Sequence, residues 1–211
     1  VEHCRAAGLI LFAVNNAWEF RPHVHVTTNP EWWDVCVEDD IFMMMNSKSD
    51  PLECWCSDPR TSRRYGLKHF RWRDDAETRG LSADPDLVSL GHGSGFAALN
   101  IAFLMGCNPI ILLGHDMRYP RGYNAVAKDP GGKRHYFGNG EYPKGAQHWP
   151  SAKVRSTGEL DGLIVCYETV AEQIRLAQRH INIINCTPGS ALKCFPSKRL
   201  DEVLSDLSFR T

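Results

Sequence analysis

A chain of 211 residues with 43% hydrophobic and 23% charged side chains is long enough for one sizeable core and too apolar to be disordered or fibrous. Twenty-four Lys and Arg against 25 Asp and Glu leave a formal charge of -1, which excludes a general electrostatic pull toward nucleic acid or anionic membrane. The longest apolar runs, such as Ile110 to Leu113 and Ile41 to Met45, fall far short of the ~20 residues of a membrane helix, so a single cytoplasmic domain over residues 1–211 is expected, with no membrane contact.

The chain opens Val1-Glu2-His3-Cys4 without a methionine and approaches a strand by Leu9, the pattern expected of truncation at the amino end. Leu9 to Val14 is a continuous apolar run stopped by Asn15-Asn16, which suits a buried parallel strand. His23 to Thr28 reads as a second strand. Asn29 then suits a helix N-cap with Pro30 at the first helical position, predicting a helix over Glu31 to Glu38. Ile41 to Met45 reads as a third strand. From about 47 to 81 no periodicity survives, and a long excursion with little regular structure is expected before order returns at Leu87.

Ser94 to Met105 is apolar on all faces, with Gly91, Gly93 and Gly95 at its start and Gly106 at its end, predicting a buried helix. Pro109 to Leu113 follows as a central strand that ends in Gly114-His115-Asp116. This sequence of glycine turn, helix, strand and polar loop is the grammar of a parallel sheet. A second excursion from about 117 to 157 is read as an active-site loop. Glu159 to Arg179 is an amphipathic helix with Leu160, Leu163, Ile164, Tyr167, Val170, Ile174 and Leu176 toward the sheet, Ile181 to Asn185 is the last strand, and a helix from about Lys198 to Leu207 closes the chain. The fold class is therefore α/β: a Rossmann-like, mostly parallel sheet with helices on both faces. Several of the eight cysteines fall in apolar runs, and Cys54-Trp55-Cys56 lacks a zinc spacing, so reduced thiols are expected.

In open parallel sheets ligands bind beyond the carboxyl ends of the strands. The polar residues there are Asn15, Asn16, Asn29, Asn46, His115, Asp116, Thr187, Gly189 and Ser190. Asparagines at such positions suit reading of a base and ribose, and they equally suit capping of turns and helices. Gly91-His92-Gly93-Ser94-Gly95 before a helix suits a phosphate, because bare N–H groups and the helix dipole face one point; the glycines equally suit close packing of helix on sheet.

Leu90 to Gly95, the helix after it, and Ile110 to Tyr119 resemble the serine-glycine helix and glycine-x-aspartate strand end of bacterial sialyltransferases. His135-Tyr136-Phe137-Gly138 and Cys186 to Leu192 look like later motifs of that family in the same order, and Asn15-Asn16 and Asn29-Pro30 match its early asparagine motifs. Phage-encoded proteins of the same broad group, which also takes in 6-hydroxymethylpterin diphosphokinase-like proteins, are similar at Val14 to Trp18, Trp32-Trp33-Asp34 and Asn185 to Leu192. The resemblance implies a GT-A-variant, sialyltransferase-like domain with a nucleotide-sugar donor held by Asn15, Asn29, Gly93, Ser94, Gly95, Gly189 and Ser190. Tyr119 and Tyr123 would meet its phosphate with no cofactor required, although Asp116 leaves a place for a divalent metal.

The chain differs from the family's pattern in two ways: its residues open after the point where the family's glycine-rich nucleotide loop is expected, and Asn139 stands where the family's histidine base is found. A hydroxyl acceptor must lose a proton as it attacks, and His135, His148 and His115 are the candidates to take it, with a hydrogen-bonded structural role as the alternative for each. Arg63, Arg64, Arg71 and Arg73, interleaved with Tyr65, Phe70 and Trp72, suit a DNA acceptor, or else a solvated loop offset by nearby aspartates. Three functions remain open: sugar transfer to a hydroxyl acceptor, including a modified base in phage DNA; ATP- and magnesium-dependent diphosphoryl transfer to a pterin-like alcohol; and nucleotide binding without turnover. A homo-oligomer is compatible with the free sheet edges.

Overall fold

The computed structural model describes residues 1–38, 52–73, 80–91, 93–118, 157–177 and 180–208. In chain order these form α1 (Glu2–Ala6), β1 (Phe12–Val14), a 3-10 helix (Asn15–Phe20), β2 (Val24–Thr27), α2 (Pro30–Glu38), β3 (Glu53–Cys56) and α3 (Pro59–Tyr65). They continue as β4 (Lys68–His69), β5 (Arg71–Arg73), β6 (Leu87–Ser89), α4 (Ser94–Leu104), β7 (Ile110–Leu112), α5 (Thr157–Leu176), β8 (Ile183–Asn185) and α6 (Leu200–Ser208). The chain is α/β, and every pairing among the described strands is parallel. The ladders are β1-β2-β3-β4, β5-β6 and β7-β8. Among the described residues these ladders are separate, and their parallel pairing with helices packed against them is consistent with the expected Rossmann-like arrangement.

β2 shows why these strands carry helices on both faces. All four of its residues are buried. Val24 and Val26 pack with Ala97, Ala98 and Ile101 of α4, while His25, pointing the other way because strand side chains alternate, meets Trp32 and Trp33 of α2. Trp32-Trp33 is accordingly core, joined by Cys54 and Cys56 from β3. α4 has no polar face to spare: it is buried from Phe96 to Ala102, and buried Asn100 holds the strand-linking loop by accepting from Ser82 N and Ser89 N at 3.0 and 2.7 Å and donating to Ser82 O at 3.0 Å. β7, β8 and α5 enclose the remaining core through Ile110, Leu112, Ile183, Cys166, Tyr167 and Val170.

Several expectations are corrected. The excursion from 47 to 81 contains β3, α3, β4 and β5, and β3 lies inside its ladder. Its helix has local causes: Asp58 accepts from Thr61 N at 2.7 Å, Pro59 sits in the first turn, and Gly66 closes the helix at φ 66° with its N–H on Ser62 O. α1 precedes β1 where no element was expected, and the Arg5 guanidinium donates to the carbonyls of Phe20 and Arg21. Leu176, assigned to the inner face of α5, is 66% exposed at its end. Ile41 to Met45 and Asn46 lie outside the described residues. Among the described residues, Cys4, Cys54, Cys56, Cys107, Cys166, Cys186 and Cys194 are not joined in disulfides, and burial pushes Cys54 up to about 12. No described helix is long and apolar enough to cross a membrane.

Candidate functional site

Parallel strands deliver their carboxyl ends to one edge, and hydrogen bonds between those ends tie the tips together. At the β1 tip Asn15 turns into the left-handed region at φ 50°. Its Oδ1 accepts from Thr27 Oγ1 at 2.7 Å, and its carbonyl lies 2.6 Å from His25 Nε2. At the β2 tip the Thr28 N–H donates to Ser94 Oγ at 3.0 Å, and the two hydroxyls lie 2.7 Å apart. Asn29 caps α2, its Oδ1 accepting from Glu31 N at 3.2 Å. Gly93 is the extended residue before α4, and its own N–H returns to Leu90 O. Gly91, at φ 49°, lies under the Phe96 ring, where a Cβ would collide. Gly91 thus has the packing role that the sequence allowed it.

The β7 tip is held by the loop after β8. His115 N donates to Thr187 Oγ1 at 3.0 Å, Ser190 Oγ donates to His115 O at 2.6 Å, and Ala191 N donates to Asp116 O at 2.8 Å. Buried Asn185 shapes that loop by accepting from Thr187 N and donating to Leu192 O. The His115 ring stands edge-on to Tyr167 and beside α4, so that a Cβ on Gly95 would lie 3.4 Å from its Nε2. Asn15, Thr27-Thr28, Ser94-Gly95, His115 and Ser190 therefore form a continuous row of contacts.

Burial lowers the His115 pKa against the opposing effects of the Leu113 carbonyl, Asp116 and the Gly95 backbone. Nδ1 lies 3.2 Å from Leu113 O, which fixes the donor there, and Nε2 is sealed from solvent against α4. The geometry suits a neutral, orienting imidazole. Asp116 is exposed on the same loop. Among the described residues no group of three or more His, Cys, Asp and Glu is placed to hold a metal.

Tyr119, Tyr123, His135 and His148 lie outside the described residues, as does the Asn16 side chain. In the basic segment, Arg64 pairs with Asp34 at 3.1 Å, Tyr65 donates to the same carboxylate, and Lys68 pairs with Glu53 at 2.8 Å. Phe70 belongs to the core, whereas Trp72, at 48%, is exposed. Among the described residues the offsetting carboxylates are Asp34 and Glu53; Asp58 instead caps α3, and the expected Asp74 and Asp75 lie outside the described residues. Arg63 and Arg71 are exposed, and a hollow of about 410 Å3 lined by Pro59, Ser62, Arg63, Gly66, Leu67 and His69 opens beside α3. The side chain of Arg73 is outside the description.

Sequence reasoning missed His25, Thr28 and Arg118. Only Arg118 carried a signal, as a cation two residues beyond the strand-end aspartate. No family model, curated protein or solved structure matches the chain.

Proposed function

We propose that the strand-tip row binds a nucleotide sugar and that the protein transfers the sugar to a hydroxyl acceptor, as the resemblance to the sialyltransferase-like group implies. The observation that carries this reading is the contact row itself: Thr28 to Ser94, Gly95 to His115, and His115 to Ser190. It gathers a helix start and the ends of β2, β7 and β8 where parallel folds place anionic ligands. Ser94, Ser190, Asn15 and Asn29 already bond to protein. In this reading they set the positions of backbone groups and are not the main ligand contacts.

During transfer the acceptor oxygen bonds to the anomeric carbon as the bond from that carbon to phosphate oxygen breaks. The departing phosphate gains charge beside the N–H groups at the start of α4, and Tyr119 and Tyr123 would add hydroxyl donors. The acceptor's proton goes to His135 or His148, because both His115 nitrogens face protein. The acceptor class extends to a modified base in phage DNA, with Arg63, Arg64 and Arg71 among the exposed cations of the basic segment. Diphosphoryl transfer from ATP would instead require magnesium beside the phosphates. Nucleotide binding without turnover is the second reading, favoured by the inward orientation of both His115 nitrogens.

Thermal-shift titration ranks these readings, since a ligand selective for the folded state raises its stability. CMP, UMP and their sugar conjugates are expected to raise Tm, with release of free or transferred sugar on prolonged incubation with acceptor alcohols. A rise with ATP and magnesium alone would replace sugar transfer with diphosphoryl transfer. A rise with pyrimidine nucleotides and no turnover with any acceptor would leave a binding protein.

A further inference from the structure

We infer that Arg118 is the cation that receives the phosphate of the bound ligand, an assignment that rests on the nucleotide reading above. The guanidinium lies against the backbone of Gly189: a Cβ built there would be 2.7 Å from Nη2 and 3.5 Å from Cζ. Gly189 is also left-handed, at φ 66°, so both its conformation and its lack of a side chain leave room for the arginine. On the other side of the contact, Met117 adopts φ 50°, an uncommon conformation for a residue with a side chain, immediately before Arg118. Gly189 thus meets the guanidinium on one loop, and left-handed Met117 precedes the residue that carries it on the other.

Those loops are fastened to each other. Ser190, next to Gly189, donates to His115 O, and Ala191 donates to Asp116 O, so Arg118 leaves a clamped turn. The same turn touches Gly95 at the start of α4 through His115. Arg118 is exposed and forms no ion pair among the described residues. A guanidinium in that position offers a planar fork of donors that matches two phosphate oxygens, which a lysine ammonium does not.

The test is isothermal titration of the full chain with inorganic pyrophosphate, CMP and cytidine, using the wild type, R118Q and R118K, with near-UV circular dichroism to verify folding. Wild type is expected to bind pyrophosphate and CMP. R118Q should weaken both at least tenfold and leave cytidine unchanged, and R118K should recover only part of the loss. Equal affinity of wild type and R118Q for pyrophosphate and CMP would overturn the assignment while the nucleotide reading stands. Arg118-dependent binding of pyrophosphate with no binding of pyrimidine nucleotides would uphold the anion site and remove the nucleotide reading. No binding of any phosphate-bearing probe by the wild type would overturn both.

Discussion

Ser94 and Thr28, 66 residues apart, are joined by a 3.0 Å bond from the Thr28 N–H to Ser94 Oγ and by hydroxyls 2.7 Å apart. This contact fixes the β2 tip to the first turn of α4. Ser94→Ala removes the acceptor of a backbone N–H and is expected to cost about 1–2 kcal/mol in urea unfolding. Thr28→Val should cost less, because it keeps the backbone bond. A double-mutant cycle should give a coupling of roughly 1 kcal/mol. Strict additivity would mean that the contact does not hold the two elements together.

Asn100 is the polar residue on which the packing of α4 depends most. Its side chain satisfies Ser82 N, Ser82 O and Ser89 N from a fully buried position. Asn100→Ala leaves these three groups without that partner, and a loss of roughly 3 kcal/mol is expected by denaturant unfolding. A loss below about 1 kcal/mol would show that the loop finds other partners.

His25 makes stability depend on acid. Burial between Trp32 and Trp33 lowers its pKa from 6.5 to about 4, against the raising effect of the Asn15 carbonyl. Between those values the unfolded chain holds a proton that the folded protein does not. Stability from this group is therefore fully present above pH 6.5 and drains as the pH falls toward about 4, by at most ~1.4 kcal/mol per pH unit. His25→Gln should flatten this acid limb without abolishing it, because His115 is shifted in the same direction. An unchanged limb in the variant would place the titrating group elsewhere.

What could be read from the residues follows from how local the signal is. β2, β7, β8, α4 and α5 announce themselves because an apolar run with polar punctuation specifies burial without reference to any partner. β3 does not: Glu53-Cys54-Trp55-Cys56 alternates over only four residues, and its inner face consists of cysteines whose burial depends on Trp32 and Trp33 from α2. The cap at Asp58 and the stop at Gly66 were present in the sequence but surrounded by charged residues that read as loop. For the site, parallel topology alone brings Ser94, His115 and Ser190 to one edge. Their partners were not legible, because the Thr28–Ser94 and His115–Ser190 bonds join residues 66 and 75 positions apart. Asn29 caps α2, as its place before Pro30 predicts, which is the structural alternative the sequence left open for the strand-end asparagines.

Amide hydrogen exchange with and without saturating CMP reports directly on whether the strand tips share one ligand. Slower exchange is expected together at Gly93 to Ala97 and at Gly189 to Ala191, two segments that both contact His115. Protection confined to the Ser62 to His69 hollow, or absent from both tip segments while CMP is bound, would contradict a common anion site at the start of α4.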